Sequence, residues 1–85
     1  MIEYSLFQGL PAWSQTEVLI NKGTIVAQRQ HQGWSITLYS LHNFFVERWV
    51  KNTIDITGTF HQSANILEIL EPYLDNIQIQ DFIDS

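Results

Sequence analysis

Between Gly33 and Lys51 the chain reads G-W-S-I-T-L-Y-S-L-H-N-F-F-V-E-R-W-V-K, with large apolar side chains at odd and even positions alike. Successive side chains of a strand point to opposite faces, so the two arms of this stretch predict strands that are apolar on both sides. A sheet with one face in water shows one apolar and one polar face. Here both faces need cover, whether from the N-terminal segment, from a second subunit or from a ligand.

From Thr24 onward the pattern predicts four antiparallel strands, about 24–30, 34–40, 44–50 and 54–58, separated by His31-Gln32-Gly33, Leu41-His42-Asn43 and Lys51-Asn52-Thr53. The register that gathers the apolar groups should win. Three-residue loops at 41–43 and 51–53 place Leu38 opposite Val46, Trp34 opposite Val50 and Val50 opposite Ile54. One face then holds Ile25, Ala27, Trp34, Ile36, Leu38, Phe44, Val46, Val50, Ile54 and Ile56, interrupted by Arg48. Helical spacing follows over Ser63 to Glu71, where Ile66, Leu67 and Leu70 share a stripe that Leu74 extends. This helix should lie across the apolar face. Pro72 stops the regular ladder near Glu71, so Tyr73-Leu74 turns the corner as a tighter segment. Ile77, Ile79 and Phe82-Ile83 read as a last short strand or an extended tail.

Ahead of the meander, residues 1–13 carry Tyr4, Leu6, Phe7, Leu10 and Trp13 without a clear period, broken by Gly9 and Pro11. They read as an irregular or partly helical arm. Ser14-Gln15-Thr16-Glu17 fits a capping box, which predicts a short helix over Gln15 to Lys22 that ends at Gly23 in the left-handed position. The rival assignment makes Val18-Leu19-Ile20 a strand and Asn21-Lys22-Gly23 a hairpin loop. The expected fold is α+β: a four-stranded antiparallel β-meander with a C-terminal helix packed on one face and a short N-terminal helix or arm. Residues 1–85 form a single domain in this reading.

A chain of 85 residues sits near the lower end of what can bury a core unaided, removing about 60% of its unfolded surface from water. There is no cysteine, so disulfides, thiolate zinc sites and cysteine nucleophiles are excluded, and oligomerisation is the remaining source of stability. Four basic against nine acidic residues leave a formal charge of -5. That balance repels phosphate backbones and anionic lipid, which argues against nucleic-acid or membrane-surface binding. No run approaches the roughly 18 apolar residues of a membrane span, and Met1 to Gly9 lacks the basic start and apolar run of a signal peptide. The cytoplasm is the expected address.

Leu38-Tyr39, Leu41, Phe44-Phe45-Val46-Glu47 and, later, Leu70-Glu71-Pro72-Tyr73-Leu74 with Ile77 form a pattern of their own. It resembles a group of small uncharacterised bacterial proteins that carry L-Y-x-L-x-x-F-[FY]-V-E followed by L-E-P-Y-L-x-x-I. The resemblance covers residues 23 to 79. It implies the meander-plus-helix fold and a bacterial cytoplasmic setting, and it brings no activity with it.

In the register above, Tyr39, Phe45 and Trp49 gather on the second face with Glu47, Thr37, Gln28 and Gln30 around them and Val26 alongside. Aromatic area edged by neutral hydrogen-bonding groups suits a protein partner or a neutral ligand such as a sugar ring. Alternatively the N-terminal arm folds over this face and makes it a second core. Glu47, a carboxylate set among aromatics in a strand, is the candidate general acid or base, with Asp55 able to approach from the next strand. Its structural reading is an ordinary cross-strand polar position paired with Thr37 or Lys51. His31 and His42 occupy consecutive loops and so lie about 23 Å apart, at about 3.3 Å per residue, too far to share a metal. His42 and His61 fall at one end but have no third ligand at a recognised spacing. No nucleophile elbow and no phosphate-cradling glycine loop occurs. Arg48 on the core face should snorkel past the helix or pair with Glu68 or Glu71.

The expectation is therefore a non-enzymatic interaction or assembly module, without cofactor or metal, that forms a homo-oligomer or binds a protein partner through Tyr39, Phe45, Glu47 and Trp49. The alternative is a small-molecule-binding or minor enzymatic domain that uses the same face with Glu47. An acidic cap on a basic partner is a third possibility.

Overall fold

The hairpins at His42-Asn43 and Asn52-Thr53 are each closed by two residues where three were expected, and that difference of one residue decides what lies inside. The computed structural model describes residues 2–61 and 63–74. Two helices, α1 (Tyr4–Gln8) and α2 (Ala12–Lys22), precede strands β1 (Thr24–His31), β2 (Trp34–Leu41), β3 (Phe44–Lys51) and β4 (Ile54–Thr59). A short helix α3 (Ile66–Leu70) and a 3₁₀ turn, Glu71–Tyr73, follow. The strands form one antiparallel sheet in the order β1-β2-β3-β4. The fold is thus the expected α+β meander with a short N-terminal helix and a C-terminal helix. The predicted tail at Ile77, Ile79, Phe82 and Ile83 lies outside the described residues.

The loops are Gln32-Gly33, His42-Asn43 and Asn52-Thr53, flanked by the pairs His31↔Trp34, Leu41↔Phe44 and Lys51↔Ile54. Tight hairpins demand left-handed backbone at the loop. Gln32, His42 and Asn52 adopt it at φ 50, 56 and 54, and Gly33 at φ 85. With two-residue loops Leu38 pairs with Glu47, Tyr39 with Val46 and Val50 with Asp55, one step away from the expected register. A one-residue slip turns a strand over. The two slips cancel for β4, so β3 alone is inverted relative to the expectation. In β1 the register shifts between Ile25 and Ala27, a bulge that puts Ile25 opposite Tyr39 and leaves Ala27 opposite Leu38.

The sheet accordingly has two covered faces. On one, α1 and α2 bury Phe7 and Leu19 against Tyr39, Leu41, Phe44 and Val46, with Tyr4, Leu10 and Val18 at the margin. On the other, Ile69 and Tyr73 pack on Ala27, Ile36 and Leu38, bordered by Trp34, Phe45, Trp49, Phe60 and Leu70. The need for a second cover is met by the N-terminal segment, on the face of Tyr39, Leu41, Phe44 and Val46. Gln15 fastens it: its side-chain amide donates to the Phe7 carbonyl (2.9 Å), and the Thr57 hydroxyl of β4 donates to its Oε1.

Two local expectations need correction. Helix α2 begins three residues before Gln15, with the amides of Ser14 and Gln15 both donating to the Pro11 carbonyl (3.0 Å). Ser14 and Glu17 therefore lie inside the helix and do not cap it. Gly23 is extended (φ -80, ψ 155), not left-handed. Its lack of a side chain answers to space, since a Cβ there would stand 2.7 Å from the Leu19 carbonyl oxygen and 3.0 Å from Tyr39 Cδ1. Helix α3 also differs in rotation. Asn65 caps it by accepting from the Leu67 amide (2.9 Å), and it buries Ile69, as the 3₁₀ turn buries Tyr73, while Leu67 stays 73% exposed.

Candidate interaction surface

Because β3 is inverted, the four residues expected to form one platform are divided. Phe45, Glu47 and Trp49 share the face covered by α3, whereas Tyr39 lies on the other face beneath α2. Tyr39 is buried there beside Leu19. Asp55 and Glu47 are divided in the same way, so they make no carboxylate pair. Thr37 lies opposite Arg48 on the far face, and the Lys51 ammonium is directed to the Gln32 carbonyl (3.3 Å), so neither is the partner of Glu47.

Glu47 is instead held from the C-terminal side. The Tyr73 hydroxyl donates to Oε2 at 2.5 Å, the Trp49 indole N–H donates to Oε1 at 3.2 Å, and the Arg29 guanidinium stands 3.8 Å from Oε2. Arg29 also lies over two rings, 5.3 Å from the Trp49 centroid and 5.1 Å from that of Tyr73, a cation–π arrangement. Its Nε has no hydrogen-bond partner among the described residues. Burial and the neighbouring Glu47 carboxylate push the Tyr73 phenol well above its ordinary range. The cluster thus combines a protonated phenol, an accepting carboxylate and a cation, and it ties the 3₁₀ turn to β1 and β3. The strand pattern missed Arg29 and Tyr73. The available signal was the continuation of the Ala27 face to Arg29, one step along the strand from a buried position.

On the opposite face Arg48 meets Asp55 of β4. Its Nε donates to Oδ1 at 3.0 Å and its terminal nitrogen to Oδ2 at 2.6 Å, a two-pronged contact. The carboxylate raises the guanidinium pKa further above its ordinary value. The expected partners Glu68 and Glu71 are on the other side of the sheet. Among the described residues no group of three or more His, Cys, Asp or Glu is placed to hold a metal. His61 contacts Ser63 (2.7 Å) and the edge of the Tyr4 ring.

No family model, curated protein or solved structure matches this chain. The open surface is then the remaining guide. Clefts lined by Glu3, Tyr4 and His42, by Ile2, Val18 and Leu41, and by Ala12, Trp13 and Asp55 do not include Glu47. Around β4, by contrast, Ile54 and Ile56 are half exposed on the α3 face, next to the half-buried pair Trp49 and Trp34, whose rings meet edge to face at 5.9 Å. Trp13, 71% exposed, borders β4 on the other side. No described helix is long and apolar enough to cross a membrane.

Proposed function

We propose that the chain is a non-enzymatic protein-interaction module, acting in a bacterial cytoplasm, that binds through the part of its aromatic sheet face left open by α3: Trp34, Trp49, Ile54 and Ile56. What supports this reading is the half exposure of Ile54 and Ile56 in continuity with the two tryptophans. Contiguous apolar surface rimmed by polar groups marks an interaction site more often than a catalytic one. The polar groups of the face point the same way. Glu47, Tyr73 and Trp49 are engaged with one another, so the carboxylate is committed to accepting hydrogen bonds and the phenol is kept protonated by burial. Acid–base chemistry needs a group whose proton can reach a substrate.

The test is a Trp34→Ser, Ile54→Ser double variant of the full chain, compared with wild type for every complex that wild type forms, by itself or with another protein. Loss of those complexes with an unchanged far-ultraviolet circular dichroism spectrum is expected. Complexes formed equally well by the variant would refute the reading.

A further inference from the structure

Among the described residues the sheet has two open edges, β1 and β4, and they differ in how well they are protected. Natural sheets guard a free edge with a bulge, a charge directed outward, or proline. Strand β1 has one such feature, the bulge at Ile25/Ala27. Strand β4, Ile54-Asp55-Ile56-Thr57-Gly58-Thr59, pairs with β3 without any shift of register and contains neither proline nor a basic residue. Its one charge, Asp55, is already neutralised by the two-pronged contact from Arg48. The edge is therefore regular and electrically quiet. It is also flanked by exposed apolar groups on both sides, Ile54 and Ile56 on one and Trp13 on the other.

Backbone direction follows from the tight hairpin. The pair next to a two-residue loop, Lys51↔Ile54, exchanges hydrogen bonds, and bonded and non-bonded pairs then alternate. Ile54, Ile56 and Gly58 thus bond to β3, which agrees with the Phe60 amide donating to the Phe45 carbonyl further along (3.0 Å). Asp55, Thr57 and Thr59 turn their amides and carbonyls to the open edge.

Gly58 supplies the deciding observation. A glycine in a strand gives up side-chain packing, and it usually marks a bulge, a bend or the close approach of another chain. There is no bulge here, its φ is not in the left-handed region, and a Cβ built on it meets nothing within 4 Å. Nothing in the described chain requires a glycine at this position.

We infer that β4 pairs antiparallel with the β4 of a second copy of this chain, about a two-fold axis at Ile56, so that two four-stranded sheets join into one. This names the partner for the interaction reading above and rests on it. In that register Asp55 and Thr57 exchange hydrogen bonds with Thr57 and Asp55 of the second copy. The two Ile56 side chains meet in the closely spaced non-hydrogen-bonded pair, with Cα atoms about 4.5 Å apart. Ile54 of each copy falls opposite Gly58 of the other on the same face, in the space that the missing side chain leaves. The strand is complementary to itself, as a two-fold interface requires.

The experiment is light scattering of the full chain over a dilution series, with Gly58→Val and Ile56→Lys variants. Wild type is expected at twice the 9.9 kDa chain mass, dissociating on dilution. At Gly58→Val the added Cβ meets no described residue within 4 Å and valine is the better strand former, so the variant should keep its spectrum and its thermal midpoint at high dilution. Its dissociation constant should nevertheless rise at least tenfold. Ile56→Lys, a change at an exposed position, should give monomer throughout and serves if the valine variant fails to fold. A wild type that is monomeric at every concentration, or a dimer whose constant both variants leave within twofold, overturns the inference. The interaction reading would survive that result if the Trp34→Ser, Ile54→Ser variant still lost a complex with another protein, and would fall with it otherwise.

Discussion

Replacing Tyr73 by Phe removes a single oxygen from the cluster that ties the C-terminal turn to the sheet. The ring stays, so no cavity opens, and the loss is that of the hydrogen bond to the Glu47 carboxylate (2.5 Å). Hydrogen bonds to a charged group contribute about 1.5 to 3 kcal/mol. Glu47 retains the Trp49 indole and the nearby Arg29, which places the expected cost near the lower end, about 1.5 to 2 kcal/mol. Urea unfolding should register this as a midpoint lowered by about 1 to 2 M, since m is near 1 kcal/mol/M for a small domain. The pH dependence separates this cause from a general loosening. Burial first, then Glu47, raises the Tyr73 phenol above its ordinary value of 10.0. Below pH 10 both states are protonated. Above it the unfolded chain releases the proton while the folded chain keeps it, so stability falls with rising pH, by at most about 1.4 kcal/mol per pH unit. The Phe variant has no such proton to lose. The stability gap between the two proteins should therefore be full at pH 7 to 9 and narrow between pH 10 and 11. A gap below about 0.5 kcal/mol at pH 7, or one that stays constant to pH 11, would refute the assignment of Tyr73 as a buried donor to Glu47.

Two further substitutions test the opposite face. Gly23→Ala should lower stability by about 1 to 3 kcal/mol through overpacking against the Leu19 carbonyl and the Tyr39 ring, although alanine in extended backbone ordinarily stabilises by about 0.4 to 1; a higher urea midpoint would contradict the close approach. Arg48→Leu should cost less than about 1 kcal/mol, because the pair with Asp55 is open to water at 24% and 33% side-chain exposure. A loss of about 3 to 5 kcal/mol on thermal or urea unfolding, as for a buried pair, would show that the guanidinium is shielded far more than that.

Strand β3 shows where sequence patterning stops. Its two sets of side chains, Phe44, Val46 and Val50 against Phe45 and Trp49, are both largely apolar, and both are interrupted by charge, Arg48 in the first and Glu47 with the strand-end Lys51 in the second. Burial alone cannot choose between them, so the orientation rested on loop length, and two-residue loops, with His42 and Asn52 in the left-handed region, replaced the three-residue loops expected. The anomaly was visible in the residues: Arg48 made no sense on an apolar face, and turning β3 over brings it to Asp55 and Glu47 to Tyr73. Helix α3 repeats the lesson. Ile66, Leu67 and Leu70 form the better stripe by spacing, yet five helical residues are too few to set their own orientation, and the Tyr73 anchor rotates Ile69 inward instead.

The four-stranded meander, the helix stop at Pro72 and the need for cover on both sheet faces followed from periodicity, turn residues and composition, all of them local or summed properties of the chain; the division of the N-terminal segment into α1 and α2 did not. Which aromatic faces which helix, the pairing of Arg48 with Asp55, and the Arg29, Glu47 and Tyr73 cluster depend on register between strands distant in sequence. Register is settled by hairpin geometry and by packing on both sides of the sheet together, and a strand that is apolar on both faces leaves that decision to the tertiary structure.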